Sequence, residues 1–151
     1  MRETLFNWLG QDLAGRSCLD LFAGAGALGF EALSRGASAV TMIERNPAAW
    51  RALRENAARL GADRLTIEQG DALQFLVRAP GRFDVIFLDP PFRQGLSADY
   101  WARLPSCLAA NGVVYLEADS RMAEPPLSRF EIVREGRAGS VHYHLIGRNE
   151  Q

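Results

Sequence analysis

The sequence predicts an α/β fold in which helices cover both faces of a mostly parallel, seven-stranded sheet. Between residues 17 and 117, short apolar runs alternate with segments of helical periodicity, the pattern of a doubly wound sheet. The last stretch instead holds two runs of alternating character, 130–134 and 141–146, joined by a short turn that contains glycine. Such a pair indicates antiparallel strands, so the sheet is expected to end in an antiparallel strand.

The first strand leads into a glycine-rich turn. Residues 17–22 form a short apolar run, and Gly24, Gly26 and Gly29 then match the pattern G-x-G-x-x-G ahead of the helix-forming residues 30–33. Glycine permits a tight turn and lets a ligand approach bare backbone, and the helix that follows offers free N–H groups. The second strand, 39–43, ends at Glu44, where an acid can bind the two hydroxyls of a ribose. These features together predict a nucleotide site.

The alternation continues to the fifth strand. Asn46 as N-cap and Pro47 as the first helical residue predict a helix that ends at Gly61. A third strand over 65–69 closes at Asp71, and a fourth over 83–88 stops before Asp89. A helix over 98–109 then precedes a fifth strand over 112–117. In the helix that ends at Gly61, the apolar stripe comprises Trp50, Leu53, Ala57 and Leu60. In the helix over 98–109, Tyr100 and Trp101 are expected to anchor the helix on the sheet.

Length and composition fit one domain of 151 residues, of which 48% are apolar. No apolar stretch approaches the roughly 18–20 residues that span a bilayer, and the first residues lack the pattern of a secretory signal. The two cysteines, Cys18 and Cys107, make no disulfide framework and are predicted to be small buried side chains, so a cytoplasmic protein is expected.

All 17 basic residues are arginine, which excludes a lysine Schiff base and a P-loop lysine. A net charge of −1 gives no global basic footprint for nucleic acid.

The fourth strand runs into Asp89-Pro90-Pro91-Phe92. Neither proline has a backbone N–H, and both have a fixed φ, so this rigid loop presents acceptors only. The Asp89 carboxylate and the Pro90 carbonyl therefore suit an NH2 group on a planar ring, with the face of Phe92 beside them to stack on that ring. Asp20, Glu44, Asp71 and Asp89 all lie at or near strand ends, and the carboxyl ends of parallel strands meet at one edge, so a single crevice is expected to gather them.

Asp20 favours a cationic ligand over a dinucleotide. A turn that cradles a pyrophosphate is poorly served by a carboxylate in the strand just before it, because like charges repel strongly at short range in a low dielectric. The same carboxylate suits a ligand that carries an amino group and a positive charge, as adenosylmethionine does. A nicotinamide-dependent oxidoreductase is the rival hypothesis, since it shares the glycine turn and Glu44 but has no use for residues 89–92.

Together these motifs resemble those of the class I adenosylmethionine-dependent methyltransferases: residues 20–29, Glu44, 70–72 and 89–92. More narrowly, residues 2–9 and 137–143 look like segments of the bacterial 16S ribosomal RNA guanine-N2 methyltransferase family. The resemblance covers nearly the whole chain and implies a Rossmann-like methyltransferase sheet formed by one domain over residues 1–151. Members of the family usually carry a basic arm ahead of this segment, so an arm is expected to be missing here, which bears on RNA engagement more than on cofactor binding.

The resemblance also implies roles for individual residues. Asp20 and Gly24 would line the methionine part of S-adenosylmethionine, with Gly26 in the same turn and Phe22 and Asn7 completing the wall. Glu44 would take the ribose hydroxyls, and Asp71 with Ala72 would recognise the adenine. The catalytic loop would be Asp89, Pro90, Pro91 and Phe92. The implied partner is ribosomal RNA within small-subunit particles, with a flipped base as substrate, no metal, no membrane and a monomeric enzyme.

The acceptor stays open on the residues alone. Guanine N2, adenine N6 and a glutamine side-chain amide all present NH2 on a planar group, and a degenerate, non-catalytic nucleotide-binding domain is a further alternative. The end segments favour guanine N2, as does the small size of the chain, which leaves no residues for a separate recognition domain. His142 and His144 lie two apart on a strand and are interpreted as part of a surface strand rather than as a metal pair. Candidate RNA contacts are Arg93, Arg137 and Arg148.

Overall fold

A computed structural model describes residues 2–78, 81–91, 96–122 and 129–148. Within these residues the strands are β1 (Ser17–Asp20), β2 (Ala39–Glu44), β3 (Leu65–Gln69), β4 (Phe83–Leu88), β5 (Leu108–Ala118), β6 (Phe130–Ala138) and β7 (Val141–Arg148). The helices are α1 (Arg2–Trp8), α2 (Ala27–Ser34), α3 (Pro47–Leu60), α4 (Ala72–Arg78) and α5 (Ala98–Cys107). No helix among the described residues is long and apolar enough to cross a membrane.

The sheet is doubly wound, as the sequence predicts. The strand order is β3-β2-β1-β4-β5-β7-β6, and every pair from β3 to β5 is parallel. β7 lies between β5 and β6 and runs antiparallel to both, which confirms the predicted antiparallel end of the sheet. The chain winds outward from β1 to β3 and then returns to place β4 on the other side of β1. This reversal makes a crevice at the carboxyl ends of β1 and β4, the usual ligand position in such sheets.

Two apolar cores flank the sheet because successive side chains of a strand point to opposite faces. On one face α1, α2 and α3 pack against strand residues such as Cys18, Val85 and Phe87. On the other, α4 and α5 pack against Leu19, Ile86 and Leu88 and their neighbours. β4 is the central strand, and residues 85–88 are fully buried on both faces. That double burial explains why its sequence is continuously apolar rather than alternating. Both Cys18 and Cys107 are buried, as predicted.

The local signals place α3 correctly. The Asn46 side chain accepts a hydrogen bond from the Ala49 N–H at 3.0 Å, Pro47 begins the helix, and Gly61 ends it in the left-handed region at φ 64°. The predicted apolar stripe, however, is only partly correct. Leu53 is 1% exposed, whereas Leu60 is 68% exposed at the last turn of the helix. Helical periodicity assigns a face to a residue, but only the packed structure shows where along the helix the partner layer stops.

Two helices were not expected from the sequence. α1 has seven residues and docks through Leu5 and Phe6, with the Phe6 ring centroid 6.0 Å from that of Phe87. α4 also has seven residues, and both helices are too short for a clear 3.6-residue period. The α5 helix ends two residues earlier than predicted, and β5 begins at Leu108 with a register shift opposite Phe83 and Val85.

The two leucines of α3 give a matched test of this packing. We expect Leu53→Ala to lower the free energy of unfolding by roughly 2–5 kcal/mol, since a buried leucine leaves a cavity. We expect Leu60→Ala to change it by less than about 0.5 kcal/mol, because the side chain is already in solvent. Urea denaturation followed by circular dichroism measures both values. Equal losses in the two variants would contradict the described position of α3.

Candidate functional site

A cavity of about 480 Å³ opens at the carboxyl edge of the sheet. Four neighbouring strands contribute one acid each to its wall: Asp71 follows β3, Glu44 ends β2, Asp20 ends β1, and Asp89 follows β4. Of the other residues named from the sequence, Phe22, Gly24, Ala72 and Pro91 also line it. The structure therefore brings the four acids together, as the strand-end pattern predicts.

Asp20 is the buried acid of the group, at 2% exposure. Its Oδ2 accepts a hydrogen bond from the Gly29 N–H at 3.1 Å, which ties the end of β1 to the first turn of α2. Burial raises the pKa of Asp20 from 3.8 to about 7; the bond from Gly29 opposes this rise, and the nearby charges of Asp89 and Glu44 add to it. A positively charged ligand beside this buried carboxyl would favour its ionised form and would lower its pKa again.

The glycines of the turn serve different purposes. Gly24 lines the cavity at φ 55°, in the left-handed region that favours glycine, and a Cβ there would meet nothing within 4 Å. Gly26 also has a positive φ, 85°, but does not line the cavity. A Cβ on Gly26 would lie 2.6 Å from both Leu53 and Phe30, so this glycine allows α2 and α3 to pack closely. A Cβ on Gly29 would likewise overlap the Met42 side chain.

Glu44 braces the glycine turn from β2. One carboxylate oxygen accepts the Gly24 N–H at 2.7 Å, and the other accepts the Asn46 N–H at 2.8 Å. The side chain thus has a structural role that the sequence did not indicate. A carboxylate has about four acceptor positions, so these two bonds leave capacity for hydroxyl donors of a ligand.

Asp71 lies beside the start of α4. Its Oδ2 accepts the Gln74 N–H at 3.0 Å, and Ala72, the first residue of the helix, lines the cavity next to it. Capping of this kind satisfies a backbone donor that the helix itself leaves unpaired. The cap also fixes the carboxylate at the end of the cavity that lies beyond β3.

The loop after β4 borders the cavity on its other side. Asp89 is exposed and Pro91 is exposed, and both line the cavity, whereas Pro90 is buried beneath them. Phe92 and Arg93, both named from the sequence, lie outside the described residues. The described part of the loop thus presents the Asp89 carboxylate at the mouth of the cavity.

Tyr100 and Arg45 line the cavity although the sequence analysis did not assign them to it. Tyr100 had been expected to anchor α5, and its ring does pack on Phe22 at 5.9 Å between centroids. Burial raises the pKa of the Tyr100 hydroxyl, as does the charge of Asp71, while Arg45 lowers it. The available signal was position: α5 begins at Ala98, soon after β4 ends at Leu88, and therefore starts at the carboxyl edge of the sheet.

Asn7 does not line the cavity. It lies exposed on α1, where its side-chain oxygen accepts a hydrogen bond from the Gln11 amide.

Two of the candidate RNA contacts bond to backbone carbonyls of the protein itself. Arg137 is exposed and donates to the Gly139 carbonyl at 2.7 Å, while Arg148 donates to the Leu108 carbonyl at 2.9 Å. Arg148 therefore fastens β7 to the beginning of β5.

The interpretation of both histidines as surface residues was wrong for His144, which is fully buried. Its Nε2 accepts the Met122 N–H at 3.0 Å, and its Nδ1 lies 3.4 Å from the Leu116 carbonyl oxygen. Since Nε2 acts as an acceptor, the proton is on Nδ1 and is donated to that carbonyl. Burial lowers the pKa of His144, which keeps the ring neutral. Among the described residues, no group of three or more His, Cys, Asp or Glu side chains is placed to hold a metal.

The cavity favours ligands that are cationic and rich in hydrogen-bond donors. Its four carboxylates accept hydrogen bonds, and they oppose a phosphate at short range because the charges repel. Its wall includes apolar side chains such as Leu21, Leu28 and Ile43, which suit the flat or aliphatic parts of a ligand. A diphosphate-containing cofactor is the poorer match.

Comparisons with known proteins agree with this fold. The family model described as "Conserved hypothetical protein 95" matches residues 1–147. The protein of Escherichia coli (strain K12) named "Ribosomal RNA small subunit methyltransferase D" is 38% identical over 154 residues, which cover 100% of this chain and 78% of that protein. A Haemophilus influenzae protein of the same name is 34% identical over 151 residues, which cover 96% of this chain and 78% of that protein. The solved structure of yhhF from Escherichia coli superposes with a TM-score of 0.91 at 38% identity and covers 99% of this chain and 86% of that one.

The raised pKa of Asp20 predicts a measurable dependence of stability on pH. Between pH 4 and 7 the folded protein retains a proton on Asp20 that the unfolded chain has lost, so the free energy of unfolding falls as pH rises through this window. The difference between a pKa of 3.8 and one of about 7 corresponds to roughly 4 kcal/mol of stability. We expect Asp20→Asn to gain stability relative to the wild type as pH rises from 4.5 to 8, measured by denaturant unfolding.

The control for this prediction is Glu55→Gln, which removes an exposed carboxylate from α3. Its stability should follow that of the wild type at every pH. A constant difference between wild type and Asp20→Asn across the whole pH range would show that the Asp20 carboxyl titrates normally and would contradict the prediction.

Proposed function

The chain belongs to the family described as "Conserved hypothetical protein 95", and on this premise we propose that it transfers a methyl group from S-adenosylmethionine to the exocyclic N2 amine of a guanine in small-subunit ribosomal RNA. The observation that carries the proposal is one cavity that contains both the buried Asp20 beside a glycine turn and, at its mouth, the Asp89 carboxylate. The names of the relatives support the substrate class.

The donor set of the cavity fits S-adenosylmethionine. Asp71 and Ala72 would hold the adenine, Glu44 the ribose hydroxyls, and Asp20 with Gly24 the amino acid part. This order follows the order of the strands from β3 to β1, so the reacting end would lie next to β4. A volume of about 480 Å³ is within the usual range for small-ligand sites. Phe22 and Tyr100, in contact with each other, would close the wall.

When bound, S-adenosylmethionine supplies an electrophilic methyl group, so the protein has to provide position rather than a metal or a covalent nucleophile. The difficulty is the acceptor, because an amine conjugated to a base is a poor nucleophile. Hydrogen bonds from this amine to the Asp89 carboxylate and the Pro90 carbonyl would draw the nitrogen toward tetrahedral geometry and direct its lone pair. Positioning can contribute about 7–11 kcal/mol at best to lowering a barrier. Asp89 also offsets the positive charge that develops on the nitrogen.

Charge bears on the manner of substrate binding. A net charge of −1 gives these residues no broad basic surface for long RNA contacts, which favours a substrate presented by a folded assembly such as a small-subunit particle. The target base must leave its stack to reach Asp89. We further propose that one copy of the chain, folded as a single domain, acts on such particles in the cytoplasm.

Asp89→Ala separates binding from chemistry. We expect the variant to bind S-adenosylhomocysteine with an affinity within about threefold of the wild type, and to lose methyl transfer by a factor of about 100 or more, as for the removal of other charge-stabilising groups. Calorimetric titration and a tritiated-methyl assay measure the two properties.

The matched control is Asp63→Ala, which removes an exposed acid ahead of β3, at the opposite edge of the sheet. This variant should behave as the wild type in both assays.

The rival hypotheses predict different results for the wild type. Binding of NADH but not of S-adenosylhomocysteine would favour the oxidoreductase, and binding of S-adenosylhomocysteine without methyl transfer to any ribosomal substrate would favour a degenerate domain.

The acceptor is tested by the product. We expect transfer of tritiated methyl to small-subunit particles, complete or partly assembled, in preference to free DNA that contains adenine. Digestion of the labelled RNA followed by chromatography should give N2-methylguanosine. Label recovered as N6-methyladenosine or in protein would refute the guanine assignment while leaving the fold and the cofactor proposal intact.

A further inference from the structure

The cavity ends at β4, and the next strand of the sheet is β5. Leu88, the last residue of β4, is in register with Leu116 of β5, so we expect Asp89, which follows β4, to lie beside Glu117, which is still part of β5. Neighbouring strands lie about 4.8 Å apart, which brings two carboxylates to adjacent positions at the edge. Asp89 lines the cavity and Glu117 does not, so Glu117 lies on the side of Asp89 that faces away from Asp20 and Glu44.

Tyr115 holds the Glu117 side chain. The two residues are two apart on β5 and share a face, and the Tyr115 hydroxyl donates to Glu117 Oε2 at 2.9 Å. The Tyr115 ring is 1% exposed, and its centroid lies 6.5 Å from both Phe87 and Tyr143. Burial raises the pKa of the Tyr115 hydroxyl, and the charges of Glu117 and Asp89 raise it further, so the hydroxyl remains a donor.

The backbone around Glu117 is fixed as well. Glu117 is opposite Tyr143 of β7, within a continuous antiparallel ladder. His144 contacts the Leu116 carbonyl through Nδ1 and receives the Met122 N–H at Nε2, so it joins β5 to the segment that leaves it. A carboxylate on a paired strand is positioned more firmly than one on a loop.

We propose that Glu117 selects guanine by accepting the hydrogen bond of its N1–H, while Asp89 and the Pro90 carbonyl accept those of its N2 amine. This inference rests on the proposed function and names a specificity residue for it. Guanine presents N1–H and the N2 amine as adjacent donors on one edge, and a carboxylate only accepts. Adenine has a bare acceptor at N1, which two carboxylates repel. Tyr115 is the positioning residue, because it acts on the base only through Glu117.

The test uses small-subunit particles whose mapped acceptor guanine is replaced by 2,6-diaminopurine. This base keeps the amine at C2, but its N1 is unprotonated and an amine replaces the carbonyl at C6. The N1 contact is therefore reversed, and the response to substitution of Glu117 shows whether that contact carries the preference. We expect the wild type to prefer guanine, measured as the ratio of kcat/KM for the two particles. Glu117→Gln places an amide donor where the carboxylate was, and it should lower kcat/KM for guanine by about 10- to 100-fold while it raises the relative use of diaminopurine.

Two further variants complete the experiment. Tyr115→Phe should shift the guanine preference in the same direction but by about 3- to 10-fold, because one neutral hydrogen bond is lost. Glu131→Gln, an exposed position of β6, should keep the wild-type ratio. All three variants should bind S-adenosylhomocysteine as the wild type does, which shows that they are folded.

The possible outcomes distinguish the role of Glu117 from the proposed methyl transfer on which it rests. An unchanged preference in a folded Glu117→Gln variant, alongside normal transfer to guanine by the wild type, would overturn the role of Glu117 alone. Equal use of guanine and diaminopurine by the wild type would do the same. A wild type that methylates no guanine in any particle would overturn the proposed function and this inference together.

Discussion

A single hydrogen bond between the Asp20 carboxylate and the Gly29 N–H connects the sheet, the α2 helix and the cavity. The bond holds the end of β1 against α2, and the turn between them has Gly24 and Gly26 in left-handed conformations. Burying a carboxylate is costly, and the raised pKa of Asp20 expresses that cost. A protein that retains such a group at a cavity wall has a binding site that is more stable when a positive ligand fills it.

The order of strands converts this local arrangement into a sequence of subsites. Neighbouring parallel strands place Asp71, Glu44, Asp20 and Asp89 along one edge, and the proposed role of Glu117 on β5 would extend this row by one acid. Ligand parts that lie along the edge therefore meet one acid after another. The reversal of winding at β1 and β4 opens the crevice where the proposed methyl donor and acceptor would meet. The antiparallel β7 then holds β5 in place from the other side.

The sequence predicted the elements whose signals are local. The cap at Asn46 and the glycine at 61 define α3 without reference to the rest of the molecule, and the continuous apolar run of β4 shows its double burial. Short elements gave weaker signals, so α1 and α4 were missed. Leu60 was placed in the core because periodicity defines a face and not its extent, and His144 was placed on the surface because alternation alone does not show what covers a strand.

By itself the sequence determined the fold class, the strand-end acids and the glycine turn, since each depends on residue types within a few positions of one another. Only the tertiary structure decided which of these residues meet. It separated Asn7 from the cavity, gave Gly26 a packing role against Leu53, added Tyr100 to the wall and set Leu88 of β4 in register with Leu116 of β5. The physical reason is register: which residues of distant segments become neighbours is fixed by how strands pair and helices pack, and no local pattern encodes that pairing.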